Sequence, residues 1–156
     1  MQNLSAKYGK TLNLDKLTSY CPGCGHGIVT RLVAEAIETL GIRERAIAIV
    51  GIGCGGFSHH YMDVDAIEAT HGRSPSFAVG YKLCRPDNIV FTYCGDGDSC
   101  AIGLGDLMHA ANKGLPITSF MINNTVFGMT GGQMSPTTLE GQITSTTPKG
   151  RDVTWQ

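Results

Sequence analysis

Apolar and polar positions alternate along most of the chain in two distinct periods. From Gly27, residues Ile28, Leu32 and Ala36 fall on one helical stripe and Val29, Val33, Ile37 and Leu40 on its neighbour, with Arg31, Glu35 and Glu38 opposite. This predicts an amphipathic helix that Gly41 ends as a C-terminal cap. Ala46-Ile47-Ala48-Ile49-Val50-Gly51 is then a short, continuously apolar run, the kind of strand a parallel sheet buries on both faces. The plan repeats. A helix over Ser76 to Leu83 leads through Arg85-Pro86-Asp87 into a strand over Asn88 to Tyr93. A helical stretch from about Ala101 to Lys113, stopped by Gly114 and Pro116, leads into a strand over Ile117 to Ile122.

Helices alternating with apolar strands predict an α/β fold with a doubly wound, mostly parallel sheet. Ligands in such folds sit at the carboxyl ends of the strands. Cys54, Asp96 and Asn124 each lie just past a predicted strand end and are expected to converge on one crevice. Residues 1–20 are polar and weakly periodic, an N-terminal arm expected to lie on something else. After Asn124 the chain turns rich in Gly, Thr, Ser and Pro, with no clear helix or strand. A loop of that length is unusual inside a compact domain, so the chain reads as a single domain over 1–156 that is incomplete at its C-terminus.

Composition narrows the picture. In 156 residues, 12 Lys and Arg against 13 Asp and Glu give a net charge of −1, which supplies no basic field for nucleic acid. Only 16% of residues are charged while 21 are Gly, so either many turns approach a ligand closely or much of the surface faces another chain. No apolar run approaches a membrane span, and the first residues lack the basic-then-apolar plan of a signal peptide. The expectation is a cytoplasmic protein whose 6 Cys are not a disulfide framework.

Three features carry chemistry. Gly95-Asp96-Gly97-Asp98 is followed, after one helix and one strand, by Asn123-Asn124. Gly-Asp-Gly alone is common in ordinary turns, and the spacing to the asparagines makes it informative. A carboxylate and an amide at adjacent strand ends are hard oxygen ligands suited to Mg²⁺ bound with a phosphate-bearing ligand. The glycines let backbone approach that ligand, and a helix starting near Ser99 would aim its N–H groups at phosphate. The second feature, Cys21-x-x-Cys24 with Cys54, fits half a zinc site, a redox dithiol or a cluster ligand pair, with Cys54 best explained as a third ligand. The third, His71-Gly72-Arg73, suits binding of phosphate or a substrate carboxylate. Cys84, Cys94 and Cys100 are expected to be small core residues. His26, His59, His60 and His109 are expected to be structural, and Asp63, Asp65, Glu68 and Glu140 show no catalytic spacing.

Gly95-Asp96-Gly97 with Asn124 resembles the signature of thiamine diphosphate enzymes. Cys21-Pro22-Gly23-Cys24-Gly25-His26-Gly27, Gly51-Ile52-Gly53-Cys54, His71-Gly72-Arg73 and Phe127-Gly128-Met129-Thr130-Gly131-Gly132-Gln133 look like the beta subunit of 2-oxoacid:ferredoxin oxidoreductases. The likeness runs from about Tyr20 to Asp152, with one small departure at Phe127, where the family usually has Tyr. It implies a thiamine diphosphate-binding fold with Mg²⁺ held by Asp96, Asn124 and the carbonyl of Val126. It also implies cofactor contacts from Gly95, Gly97, Asp98, Gly53, Cys54 and His71, and a [4Fe–4S] cluster on Cys21, Cys24 and Cys54 whose fourth ligand is missing from this chain.

The activity so implied is oxidative decarboxylation of a 2-oxoacid to acyl-coenzyme A, with electrons passed through the cluster to ferredoxin. The activating glutamate is expected on a partner alpha subunit, so no acid–base catalyst is assigned here. Gamma and delta subunits extend the partner set in larger assemblies. The Gly128-Met129-Thr130-Gly131 loop looks more like 2-oxoglutarate and 2-oxoisovalerate enzymes than pyruvate ones, with 2-oxoglutarate favoured. The rival readings are a thiamine decarboxylase without electron transfer, which leaves the three cysteines unexplained, and a non-catalytic iron–sulfur or zinc module.

Overall fold

The computed structural model describes residues 9–154; the first eight residues of the expected arm lie outside that range. Helix α1 (Gly25–Leu40) leads to strand β1 (Ala46–Val50), then to a 3₁₀ segment Cys54–His60 and strand β2 (Asp65–Glu68). Helix α2 (Ser74–Cys84), strand β3 (Ile89–Gly95), a π-helical turn Asp98–Ile102, helix α3 (Leu104–Lys113) and strand β4 (Ile117–Ile122) follow. Two short strands, β5 (Val126–Phe127) and β6 (Gln133–Met134), pair antiparallel beyond them.

The four main strands form one parallel sheet in the order β2-β1-β3-β4. The α/β fold with a parallel sheet is therefore as expected. Because β1 has β2 on one side and β3 on the other, chain order reverses between β1 and β3, and a crevice opens there at the strands' carboxyl ends.

Every residue of β1 is buried, because both faces of the sheet are covered. Ala46, Ala48 and Val50 pack with Phe91 and Tyr93 against Val33, Ala34 and Ile37 of α1. Ile47 and Ile49 face the other way with Val90 onto Ala78 of α2. This is the period-2 alternation of a strand feeding two cores.

Three expectations need correction. The inward face of α1 is His26, Thr30, Val33, Ala34 and Ile37, whereas Ile28, Leu32 and Leu40 are exposed. Polar Thr30 faces inward because its hydroxyl meets the Tyr93 hydroxyl at 3.1 Å. Gly41 does cap this helix, in a left-handed conformation. Second, Cys84 is exposed at the end of α2 and Cys100 is half-buried; only Cys94 is a core residue. Third, β2 was not expected, since Asp65 and Glu68 break an apolar run. It is an edge strand, where outward carboxylates cost little. The described part of the arm is tied down by backbone and side chain: Leu12 bridges Met62, and Glu38 accepts hydrogen bonds from the Thr11 amide (3.2 Å) and hydroxyl (2.5 Å). Among the described residues no helix is long and apolar enough to cross a membrane.

Burial pushes the Cys94 thiol up to about 12, which suppresses the reactive thiolate. In the folded chain Cys84 is expected to be alkylated by iodoacetamide at neutral pH while Cys94 is modified only after denaturant is added. Peptide mass mapping reads both, and prompt labelling of Cys94 would contradict the buried strand.

Candidate active site

Cys54 follows β1, Asp96 follows β3 and Asn124 follows β4, and all three line one cleft together with His71, His26 and the Val126 to Thr130 loop. The convergence expected from the strand ends is therefore present. Gly95, Gly97, Asp98 and Gly53 line the same cleft. Gly97 is needed where it stands: a Cβ there would run into the Phe127 ring.

Asp96 is 1% exposed. Its Oδ2 accepts a hydrogen bond from the Ser135 hydroxyl at 2.6 Å and another from the Thr137 hydroxyl. Its Oδ1 faces the other way, 2.9 Å from the outer atom of the Asn124 amide, which also lies 2.8 Å from the Val126 carbonyl oxygen. An amide nitrogen in that position would donate to both. With the oxygen there instead, which the Val126 N–H approaches at 3.4 Å, it stands within 2.9 Å of both a carboxylate and a carbonyl oxygen. Separations near 2.9 Å match the edge of an octahedron with metal–oxygen bonds of ~2.0–2.1 Å. The nitrogen-inward orientation satisfies the carboxylate and the carbonyl directly, whereas the oxygen-inward one would add a third oxygen donor for a cation. The donor set thus fits a small hard cation.

Thr125, between Asn124 and Val126, has φ 64°, and among the described residues it is the one non-glycine with a positive φ. A β-branched residue held there costs of order 1–3 kcal/mol, so its surroundings must enforce it. The turn brings the Asn124 side chain and the Val126 carbonyl to the same point.

Asp98 does not point at that point. Its Oδ1 accepts from the Gly72 amide at 2.8 Å and pairs with His71 Nδ1. Its Oδ2 is buried with no hydrogen-bond partner among the described residues. A Cβ at Gly51 would strike that oxygen, so Gly51 makes room for the carboxylate. The Asp98 contact engages Nδ1 of His71 and so fixes the orientation of its ring.

Cys54 is half-buried, and burial raises its thiol pKa, with further upward contributions from Cys24 and Cys21. The Cys24 amide donates to the Cys21 carbonyl at 3.0 Å, closing a turn at the start of α1. Cys54 therefore feels both of the other cysteines. Among the described residues, however, no group of three or more His, Cys, Asp and Glu side chains is arranged to hold a metal ion. His26 is 1% exposed, stacks on Tyr20 with ring centroids 5.2 Å apart, and forms part of the cleft wall. Ser135, Thr137 and Thr138 escape sequence reasoning, since isolated hydroxyls in a Thr-rich stretch carry no signal of their own.

Comparison with known proteins fits this geometry. The family model described as thiamine pyrophosphate enzyme, C-terminal TPP binding domain, matches residues 33–155, and the chain belongs to that family. Within it, the chain is related over most of its length to subunits of 2-oxoacid oxidoreductases. It is 49% identical over 135 residues to the ketoisovalerate oxidoreductase subunit VorA of Methanothermobacter thermautotrophicus, covering 86% of this chain and 28% of that protein. It is 40% identical over 148 residues to the 2-oxoglutarate synthase subunit KorB of Archaeoglobus fulgidus, covering 94% of this chain and 55% of the relative. A solved 2-oxoglutarate:ferredoxin oxidoreductase from Magnetococcus marinus, with 2-oxoglutarate, coenzyme A and succinyl-CoA bound, superposes with a TM-score of 0.87 at 36% identity, over 96% of this chain and 51% of that one. The chain therefore spans between about a quarter and a half of the length of these relatives.

The buried imidazole gives this site a pH signature. Burial disfavours imidazolium and lowers the His26 pKa below the ordinary 6.5, against a smaller upward pull from Asp96. The unfolded chain takes up that proton first, so the stability His26 contributes is complete above pH ~6.5 and is lost as pH falls. Thermal melts from pH 7 to 5 should show a falling melting temperature. The fall should be shallower in His26→Gln, and an unchanged slope in that variant would refute the assignment.

Proposed function

We propose that the chain is the thiamine diphosphate-binding beta subunit of a 2-oxoacid:ferredoxin oxidoreductase acting in the cytoplasm. The reaction is oxidative decarboxylation of a 2-oxoacid to acyl-coenzyme A, with electrons delivered through a [4Fe–4S] cluster to ferredoxin. The observation that carries the reading is the meeting of Asp96 Oδ1, the Asn124 amide and the Val126 carbonyl at one point in the cleft. In a family defined by thiamine binding, that is where a Mg²⁺ ion would tie down a diphosphate.

Asp96, Asn124 and Val126 would hold the cation, and Gly95 and Gly97 would let the cofactor approach the backbone. Thiamine diphosphate, when bound, supplies the nucleophilic carbon and the electron sink that decarboxylation requires. His71, fixed by Asp98, would present its other ring nitrogen to a phosphate or carboxylate. Cys21, Cys24 and Cys54 are the proposed cluster ligands. No residue here needs to act as the activating acid, which we assign to an alpha subunit. Further gamma or delta subunits, coenzyme A and ferredoxin complete the proposed partners.

For the substrate we favour 2-oxoglutarate, by its presence in the solved relative. A second reading, 2-oxoisovalerate, is favoured by the apolar lining from Ile52, Val126, Phe127 and Met129 and by the name of the 49% identical relative. Comparing ferredoxin reduction with each acid decides between them.

Asp96→Ala is expected to abolish Mg²⁺-dependent binding of thiamine diphosphate, measured by calorimetry on anaerobically purified protein, while iron and sulfide content stay within about a fifth of the parent. Iron without thiamine binding in the parent would overturn the proposal. Thiamine binding without iron would leave the decarboxylase rival, and loss of iron with retained cofactor in Asp96→Ala would show the roles misassigned.

A further inference from the structure

We infer that residues 135–151 form a strap that positions both halves of the metal site. Ser135 and Thr137 orient Asp96, while Thr138 and Gln142 hold the turn that presents Asn124 and Val126. The inference rests on the reading of Asp96, Asn124 and the Val126 carbonyl as cation ligands.

One half of the strap acts on the carboxylate. Ser135 and Asp96 are each 1% exposed, so the contact between them is made away from solvent. Two hydroxyls, from Ser135 and Thr137, donate to the same oxygen, Oδ2. That engages Oδ2 and leaves Oδ1 directed at the Asn124 amide, 2.9 Å away. Outer partners of this kind set the orientation of a ligating carboxylate and hence the affinity for the metal.

The other half acts on the strained backbone. The Thr138 hydroxyl donates to the Thr125 carbonyl at 2.5 Å and accepts from the Ser135 amide at 2.9 Å. The Gln142 amide nitrogen donates to the Thr125 hydroxyl at 2.8 Å. Thr125 therefore has both its carbonyl and its side chain engaged by the strap, which accounts for its left-handed φ of 64°.

The strap itself is closed by Arg151. Its guanidinium is buried and donates to the Pro136 carbonyl at 2.9 Å, to the Thr138 carbonyl and, more weakly, to the Ser135 carbonyl at 3.4 Å. Backbone bonds from Gly141 to Arg151 (2.9 Å) and from Arg151 to Gln142 (3.0 Å) shut the loop. Charge-assisted contacts from one nitrogen, Nη1, onto the carbonyls of Ser135, Pro136 and Thr138 fix the turn from which Ser135, Thr137 and Thr138 project.

The test is Mn²⁺ binding, followed by the electron paramagnetic resonance signal of the free ion, in the full chain with the subunits that accompany it and with thiamine diphosphate present. Ser135→Ala and Thr137→Val are each expected to weaken Mn²⁺ binding by about 10-fold or more, and Thr138→Val to weaken it as well. Thr137→Ser, which keeps the hydroxyl, should stay within about 2-fold of the parent. Metal-free melting curves confirm that each variant folds; Thr137 is half-buried and near the surface, so its pair of variants decides the matter if Ser135→Ala fails to fold. A parent that binds no Mn²⁺ would overturn the cation site itself. A parent that binds, with Thr137→Val and Thr138→Val binding equally well, would overturn the strap alone. Equal loss in Thr137→Ser and Thr137→Val would also overturn it, because the hydroxyl would then not be the operative group.

Discussion

A carboxylate taken out of water costs several kcal/mol unless its charge is answered, and Asp96 has been taken out almost completely. One of its oxygens is answered by two hydroxyls, and the other is held beside an amide and a carbonyl oxygen. The groups that answer it, two hydroxyls, an amide and a carbonyl, are all neutral. The rest of the cleft is arranged around this debt: β3 ends in glycine on one side of Asp96, Gly97 clears space on the other, and the strained turn at Thr125 brings further oxygens rather than cations.

The sheet makes this arrangement possible by delivering residues far apart in sequence to one rim. β1 and β3 are neighbours, and the segments that leave their carboxyl ends carry Cys54 and Asp96. Behind the cleft, Tyr93 is fully buried; its hydroxyl donates to the carbonyl of the cleft residue His26 at 3.0 Å, and burial pushes its pKa up to about 12. The result is a rigid floor under a loop-built site, the usual division of labour in parallel α/β domains.

Much of this was legible in the amino-acid order. The central strands are continuous apolar runs, and Ile117–Ile122 is a strand at the expected bounds; the glycine-flanked Asp96 marks its own position. Other parts were not legible, for physical reasons. β2 is an edge strand, so its composition carries no burial signal. The inward face of α1 includes His26 and Thr30, whose burial depends on Tyr20 and Tyr93, and periodicity that counts apolar residues cannot find them. The hydroxyls on Asp96 lie 39 and 41 residues along the chain from it, in a stretch whose composition reads as loop. Their meaning is created by tertiary contact alone.

The two rims of the sheet are chemically unlike. β2 ends the sheet with a four-residue strand bearing Asp65 and Glu68, whose charges oppose pairing with a further strand. β4 ends it with six residues, Ile117 to Ile122, that carry no charge at all, and near it α3 and the turn before it leave Ile102, Leu104 and Met108 uncovered, with Met121 exposed on the strand itself. The sheet therefore has a polarity of growth: a strand added beyond β4 would find open hydrogen bonds and apolar cover together, whereas one added beyond β2 would meet carboxylates.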